Sequence, residues 1–349
     1  MGRTALALGS GRPGRTEELS ASDKLRVLYS HRFVFTRDNL PLLTIGLMSG
    51  QKRVDLTADD GLLVLPDGED GPAVRAGSSW TVTVEEPTPA SLRFFTVVAR
   101  LDLGSDAAAS EERVWRARGL DTKLFETGVV FGIKGDVIDS RELFLGVAPV
   151  ASAAAAQQKA DEIAKKYDLE TFVHPDLVAQ PRGRLVARDE NGVEVKNEGI
   201  LWFMPKQPEK TITVKDVAVG TGGSRVGAER HETRRYFGQV YVTLGWDGAL
   251  TVVNAVPEDH LLAGLVPAEM FADAPLEALK AQAVAARTDL LAKIGTRHFG
   301  EPYLVCSSEH CQVYAGVGRE TPRTTKAVRT TRGEVLLREP HAKAFDVFQ

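Results

Sequence analysis

Between Asp273 and Gly295 apolar residues recur at helical spacing. Leu276, Leu279, Ala283, Ala286, Leu290 and Ile294 recur at steps of three and four. Asp273 or Ala274 can cap this helix, Pro275 sits in the first turn where proline is tolerated, and Gly295 ends it. Its alanine-rich face lets a neighbouring element approach closely. A chain with this helix near its end must supply something large and apolar for it to pack on.

The strand patterns upstream supply it. Residues 24–100 read as β-rich: Leu25 to Phe35, Leu42 to Leu47, Gln51 to Val64 broken at Asp59-Asp60-Gly61, and Thr81 to Val84 closed by Pro87 and Pro89. The β pattern resumes at Thr211 to Val219, Gly238 to Leu244 and Leu250 to Ala255. Between these regions lie strand-like Gly128 to Ile133 and Glu142 to Val150, a helix over Ala151 to Tyr167, and a return strand at Asp168 to Val173. A hairpin over Leu185 to Phe203 turns at Glu190-Asn191-Gly192, where Asn-Gly suits positive φ. The fold class expected is α+β: a largely β body, a helical segment around 257–295, and an inserted small α+β module. The expected divisions are a flexible lead-in over 1–23, a β-rich part over 24–112, the module over 113–205 and a last domain over 206–349, which the resemblance described below implies to be catalytic.

Composition removes some functions. With 43% hydrophobic and 26% charged residues and a net charge of -4, the 349-residue chain lacks the basic excess of a nucleic-acid binder. No apolar run reaches the length of a membrane span. Near the start, Arg3 precedes only Ala5 to Leu8, too short for a signal-peptide core. Either the chain stays in the cytoplasm or its export signal lies outside it.

The chemistry concentrates late in the chain. Glu269 sits in Leu265-Val266-Pro267-Ala268-Glu269-Met270-Phe271, apolar flanks that would desolvate a carboxylate and help it hold a proton as a general acid. The plainer reading is that Glu269 caps the helix or pairs with Lys280 or Arg287. His298, Cys306, His310 and Cys311 form a candidate site of two thiols and two imidazoles, a set suited to tetrahedral zinc. A Cys306–Cys311 disulfide is the rival reading. Neighbouring strand side chains point apart, so His310 and Cys311 make an awkward ligand pair if that stretch is a strand.

The segment N-A-V-P-E-D-H-L-L-A-G-L-V-P-A-E-M, then P-L-E-A-L-K-A-Q-A-V-A-A-R-T, C-S-S-E-H-C-Q-V-Y-A-G and T-R-G-E-V-L, resembles the signature blocks of the SpoIID/LytB family. The resemblance is strong over 236–340, fair over 209–235 and faint in the first hundred residues. It implies a lytic transglycosylase of denuded peptidoglycan, cleaving MurNAc-GlcNAc β-1,4 bonds to 1,6-anhydro-MurNAc ends. It places the catalytic glutamate of the V-P-x-E-M motif at Glu269, and implies Lys280, Gln282, Arg287, Gln312 and Tyr314 as substrate-binding residues. Arg287 is equally readable as a structural ion-pair residue. The resemblance also implies zinc near the cleft, matched best at Cys306 and Cys311. The LytB side of the family implies an alternative, a non-catalytic glycan-binding protein that enhances an N-acetylmuramoyl-L-alanine amidase. Either function places the chain in the cell envelope, periplasm or cell wall. The inserted module resembles SPOR-type glycan-binding modules, and ordinary ferredoxin-like architecture accounts for the same pattern. Family domains run on past a strand like Ala344 to Phe348, so the catalytic domain is expected to be truncated.

Overall fold

The structure, a computed structural model, describes residues 34–35, 41–66, 72–75, 77–104, 106–133, 136–219 and 230–337. The lead-in, most of the expected Leu25 to Phe35 strand and the expected strand near Ala344 lie outside the described residues.

The chain begins with β1 (Val34–Phe35), β2 (Pro41–Gln51), β3 (Val54–Thr57), β4 (Leu62–Leu65), β5 (Val74–Arg75) and β6 (Ser79–Thr88). There follow β7 (Ser91–Leu101), α1 (Ala107–Ala117), β8 (Thr122–Thr127), β9 (Val130–Ile133), β10 (Asp136–Asp139), β11 (Glu142–Val150), α2 (Ala153–Tyr167) and β12 (Phe172–Ala179). Next come β13 (Arg182–Asp189), β14 (Glu194–Glu198), β15 (Ile200–Pro205), β16 (Ile212–Val219), β17 (Arg230–Tyr236), β18 (Gln239–Leu244) and β19 (Leu250–Pro257). The helices α3 (Glu258–Glu269) and α4 (Leu276–Lys293), the short β20 (Val305–Cys306), a 3-10 turn at Gly316–Arg319 and α5 (Pro322–Thr330) complete the described chain.

The fold is mixed α+β. One body sheet runs β1-β2-β19-β18-β15-β4-β5, with β20 added in parallel to β2, and a second runs β14-β13-β6-β3-β16-β17. Both sheets draw on the early and the late β regions, as the two separated patterns in the sequence suggest. Their inner faces share one core, in which Trp80 of the second sheet meets Phe203 of the first at 6.4 Å. The buried faces of α3 and α4 belong to the same core. The apolar surface that α4 requires is therefore the β body itself.

A separate four-stranded sheet, β12-β7-β11-β8, is antiparallel throughout. With α1 and α2 its order is β-α-β-β-α-β, the ferredoxin-like arrangement. That topology does not by itself carry a glycan-binding role. Its extent differs from the expected 113–205. The sheet begins at β7 and ends at β12, while β13 pairs with β6 and β15 with β4 and β18 in the body. The sequence reading missed β7 because this strand lies between two neighbours, so its run Phe94-Phe95-Thr96-Val97-Val98 is continuous rather than alternating. The expected boundary at Gly104 to Glu112 is instead the entry to α1, a helix that buries little besides Ala108 and Trp115. Pro87 does not close its strand. It lies past the end of the β3 pairing, where a missing N–H breaks no ladder on that side.

Candidate functional site

Helix α3 follows β19 without a loop, and Asn254 fixes that junction. Its buried amide donates to Phe237 O and Gln239 O, each at 2.8 Å, and accepts from the Tyr314 hydroxyl at 3.2 Å. The helix is buried nearly all round, including Leu261, Leu262, Leu265 and Val266. Gly264 is required where the 3-10 turn crosses it, since an added Cβ would stand 2.7 Å from Gly316 O.

Glu269 is the last residue of α3, and not part of a loop leading into the next helix. Its side chain is exposed. The desolvation expected from its apolar flanks is absent because Val266 and its neighbours turn into the core while the helix end projects out. A tight turn, closed by Ala274 N–H donating to Phe271 O at 3.0 Å, then carries the chain into α4.

The other expected substrate-binding residues divide into two groups. Lys280 and Gln282 lie part-exposed on α4, and Lys280 pairs with Glu277 at 2.8 Å. Arg287, Gln312 and Tyr314 turn inward. Arg287 is buried against Glu258, and its Nη1 donates to Thr331 O at 2.9 Å and Glu334 O at 3.0 Å. Burial raises the Glu258 carboxyl above its usual range, and the Arg287 guanidinium opposes that rise. Tyr314 is buried beside Tyr236, and burial lifts its phenol well above the ordinary value. Gln312 donates to Asp289 at 2.6 Å and to Ala286 O at 3.3 Å.

Sequence reasoning missed a second carboxyl in this region that burial perturbs. Glu320, just after the 3-10 turn, is pushed up to about 7 by burial, only partly offset by Arg329. Its Oε1 is buried with no partner among the described residues. It lines an open groove of about 540 Å³ with Thr321, Thr325, Lys326 and Arg329. An isolated Glu outside any recognised motif leaves no signal of this kind in a sequence.

His298, Cys306, His310 and Cys311 do converge: one donor atom from each lies within 4.8 Å of all the others. His298 Nε2 is 3.2 Å from Cys311 Sγ, and His310 Nδ1 is 3.7 Å from both sulfurs. A tetrahedral zinc with ordinary Zn–S and Zn–N bonds would separate its sulfur and nitrogen ligands by about 3.5 Å, so the cluster fits that ion. Both cysteines are free thiols rather than a disulfide. The awkward adjacency of His310 and Cys311 disappears because they occupy a turn, where the strand pleat does not apply.

The surroundings hold these four residues in place. Cys306 is set by the parallel pairing of β20 with β2. Residue 46 opposite must be Gly, because a Cβ there would be 2.8 Å from the Tyr303 ring. His298 adopts φ 54 and its Nδ1 faces Glu301 at 3.4 Å, an outer carboxylate that fixes the imidazole. Lys293, anchored by Asp289 at 2.6 Å, donates to Cys311 O at 2.6 Å. The Cys311 hydrogen bond and the His298 hydrogen bond stabilise the Cys306 thiolate, while the proton shared between the sulfurs stays with Cys311, which is raised. Burial works against a charged His298, but Cys306 and Glu301 outweigh it and lift the imidazole to about 9. Glu301, Lys293 and Asp289 were not foreseen, because their roles depend on a loop returning to α4.

Residues 246–337 match the SpoIID family, described as stage II sporulation protein. Over this segment the chain is similar to SpoIID-domain proteins and to an amidase enhancer. It is 45% identical over 75 residues, 22% of its length, to the amidase enhancer of Bacillus subtilis. It is 35% identical over 102 residues, 29% of its length, to an uncharacterized protein of Brachyspira hyodysenteriae. The chain spans only 10% and 27% of those two relatives, respectively. A putative exported protein from Burkholderia pseudomallei is similar at 14% identity and a TM-score of 0.24, covering 52% of this chain and 29% of that one. Among the described residues no helix is long and apolar enough to cross a membrane.

Proposed function

We propose that this chain binds peptide-free glycan strands of peptidoglycan in the cell envelope and thereby enhances a cell-wall amidase. The observation that carries the reading is the 45% identity to an amidase enhancer, together with the SpoIID match over 246–337. Site geometry supports a binding role. Arg287, Gln312 and Tyr314 serve the scaffold, and the residues left facing solvent are Glu269, Lys280 and Gln282 around the α3–α4 turn. The His298, Cys306, His310 and Cys311 cluster would hold a structural zinc that braces the loop leading to Gln312 and Tyr314.

A second reading, lytic transglycosylase, is favoured by one observation: Glu269 is open to solvent at a helix end, within reach of a long polymer. As acid it would protonate the oxygen leaving a MurNAc-GlcNAc bond. As base it would then take the proton from the C6 hydroxyl of the same MurNAc, closing the 1,6-anhydro ring. That hydroxyl is tethered to the reacting carbon, so no second carboxylate nucleophile is needed.

The test adds the protein to purified sacculi with an N-acetylmuramoyl-L-alanine amidase and follows stem-peptide release. The proposal expects faster release with the wild type than with the amidase alone, and a smaller but persistent acceleration with Glu269→Gln, whose amide keeps an oxygen that accepts from sugar hydroxyls. An unchanged amidase rate, with glycan strands cut by the wild type alone, would hand the function to the second reading.

A further inference from the structure

The most exposed large apolar side chain among the described residues is Phe271, at 84%, two positions after Glu269. A Phe this open is not accounted for by packing, and the turn that carries it is tied by Ala274 N–H to Phe271 O and Met270 N–H to Val266 O. Met270 packs on the core, so the ring stands on a fixed base. Its neighbours along the chain are acidic: Glu269 and Asp273, two positions to either side, are exposed carboxylates, and Glu277 follows, paired with Lys280.

This combination selects a ligand chemistry. An aromatic face offers a flat apolar platform for the C–H face of a pyranose ring, and carboxylates beside it accept hydrogen bonds from sugar hydroxyls. The same carboxylates repel an anionic group. Of the two sugars in peptidoglycan, MurNAc without its peptide carries a lactyl carboxylate and GlcNAc is neutral. Consecutive Cα atoms are about 3.8 Å apart, so Phe271 lies within about 8 Å of Glu269 along the backbone, close enough for one strand to touch both.

We infer that Phe271 is the stacking platform for a GlcNAc ring of the bound strand, with the Glu269 and Asp273 carboxylates receiving its hydroxyls. The inference rests on the glycan-binding reading above and names the sugar that occupies this part of the site. It makes the α3–α4 turn a subsite selective for the neutral sugar.

The experiment measures binding of penta-N-acetylglucosamine and of peptide-free MurNAc-GlcNAc strands to the full chain by calorimetry. The variants are Phe271→Ala, Phe271→Trp and Glu269→Gln. Removing the aromatic face is expected to weaken both ligands by roughly tenfold, since it deletes the apolar surface on which the ring stacks. Phe271→Trp is expected to bind at least as well as the wild type and to report the sugar through its own fluorescence. Melting should be unchanged in all variants, because this side chain supports no core. Wild-type binding retained in full by Phe271→Ala would overturn the inference and leave the glycan reading standing. A wild type that binds neither ligand would overturn both. Loss of retention on anionic lipid vesicles instead of on glycan would also overturn it, by making the ring a membrane contact.

Discussion

Replacing Arg287 by Met tests whether this residue supports the fold or the ligand. The side chains of Arg287 and Glu258 are 3% and 5% exposed, so their charges face each other with almost no water. Breaking such a pair from one side leaves a buried charge uncompensated and costs about 3–5 kcal/mol. Two carbonyls, Thr331 O and Glu334 O, lose a donor in the same change and push the loss toward the upper end. The sign with pH follows from Glu258. Its carboxyl is already raised by burial, and without Arg287 it rises further. A carboxyl raised on folding contributes stability below its unfolded value and loses it as pH rises through the folded one. Arg287→Met should therefore be more damaging at pH 8 than at pH 5. Urea unfolding across that range measures this, and Glu258→Leu combined with Arg287→Met should recover most of the loss. The variant, once folded, should retain glycan strands as well as the wild type does. A loss under about 1 kcal/mol accompanied by lost glycan retention would refute the reasoning and make Arg287 a ligand residue.

His174 packs among Phe125, Phe144 and Phe299, and burial lowers it to about 4, with Asp176 raising it and Lys123 lowering it. Depressed in the folded state, it contributes stability above its unfolded value that is lost as pH falls toward 4, about 3 kcal/mol in all. His174→Leu should flatten that acid limb in urea titrations from pH 7 to pH 4. Elemental analysis of the purified chain should find about one zinc per molecule, absent from Cys306→Ser and from Cys311→Ser. Chelation should make the loop over 296–314 newly sensitive to protease. Gly264→Ala places a methyl against Gly316 O and should lower stability by about 1–3 kcal/mol, read as a fall in the unfolding midpoint.

What the sequence disclosed depended on whether the signal was local. Helix α4 was legible because leucines and alanines recur along it at steps of three and four, and the turn at Asn191-Gly192 because its backbone demand is specific: Gly192 adopts φ 85. The ligand cluster was legible as residue types, since thiols and imidazoles are scarce and lie close together in the chain. The strand β7 and helix α1 were hidden, one by burial on both faces and the other by having little burial at all. Burial was the hardest quantity to read. Apolar neighbours suggested a sheltered Glu269, yet they turn inward and leave it exposed, while Arg287, readable in sequence as either a ligand or an ion-pair residue, and Tyr314, readable as a ligand, are both buried. Such assignments depend on contacts with residues 44 to 60 positions away, as Arg287 to Thr331 and Tyr314 to Asn254 show.

The central claim is that this chain holds peptide-free glycan strands. Its most direct test incubates such strands with the wild type and with Glu269→Gln, pulls down the protein, and examines the bound and free glycan by mass spectrometry. The account predicts strands retained intact by both proteins. Strands left unbound by both would contradict it, and 1,6-anhydro-MurNAc ends made by the wild type alone would replace the binding role with catalysis by Glu269.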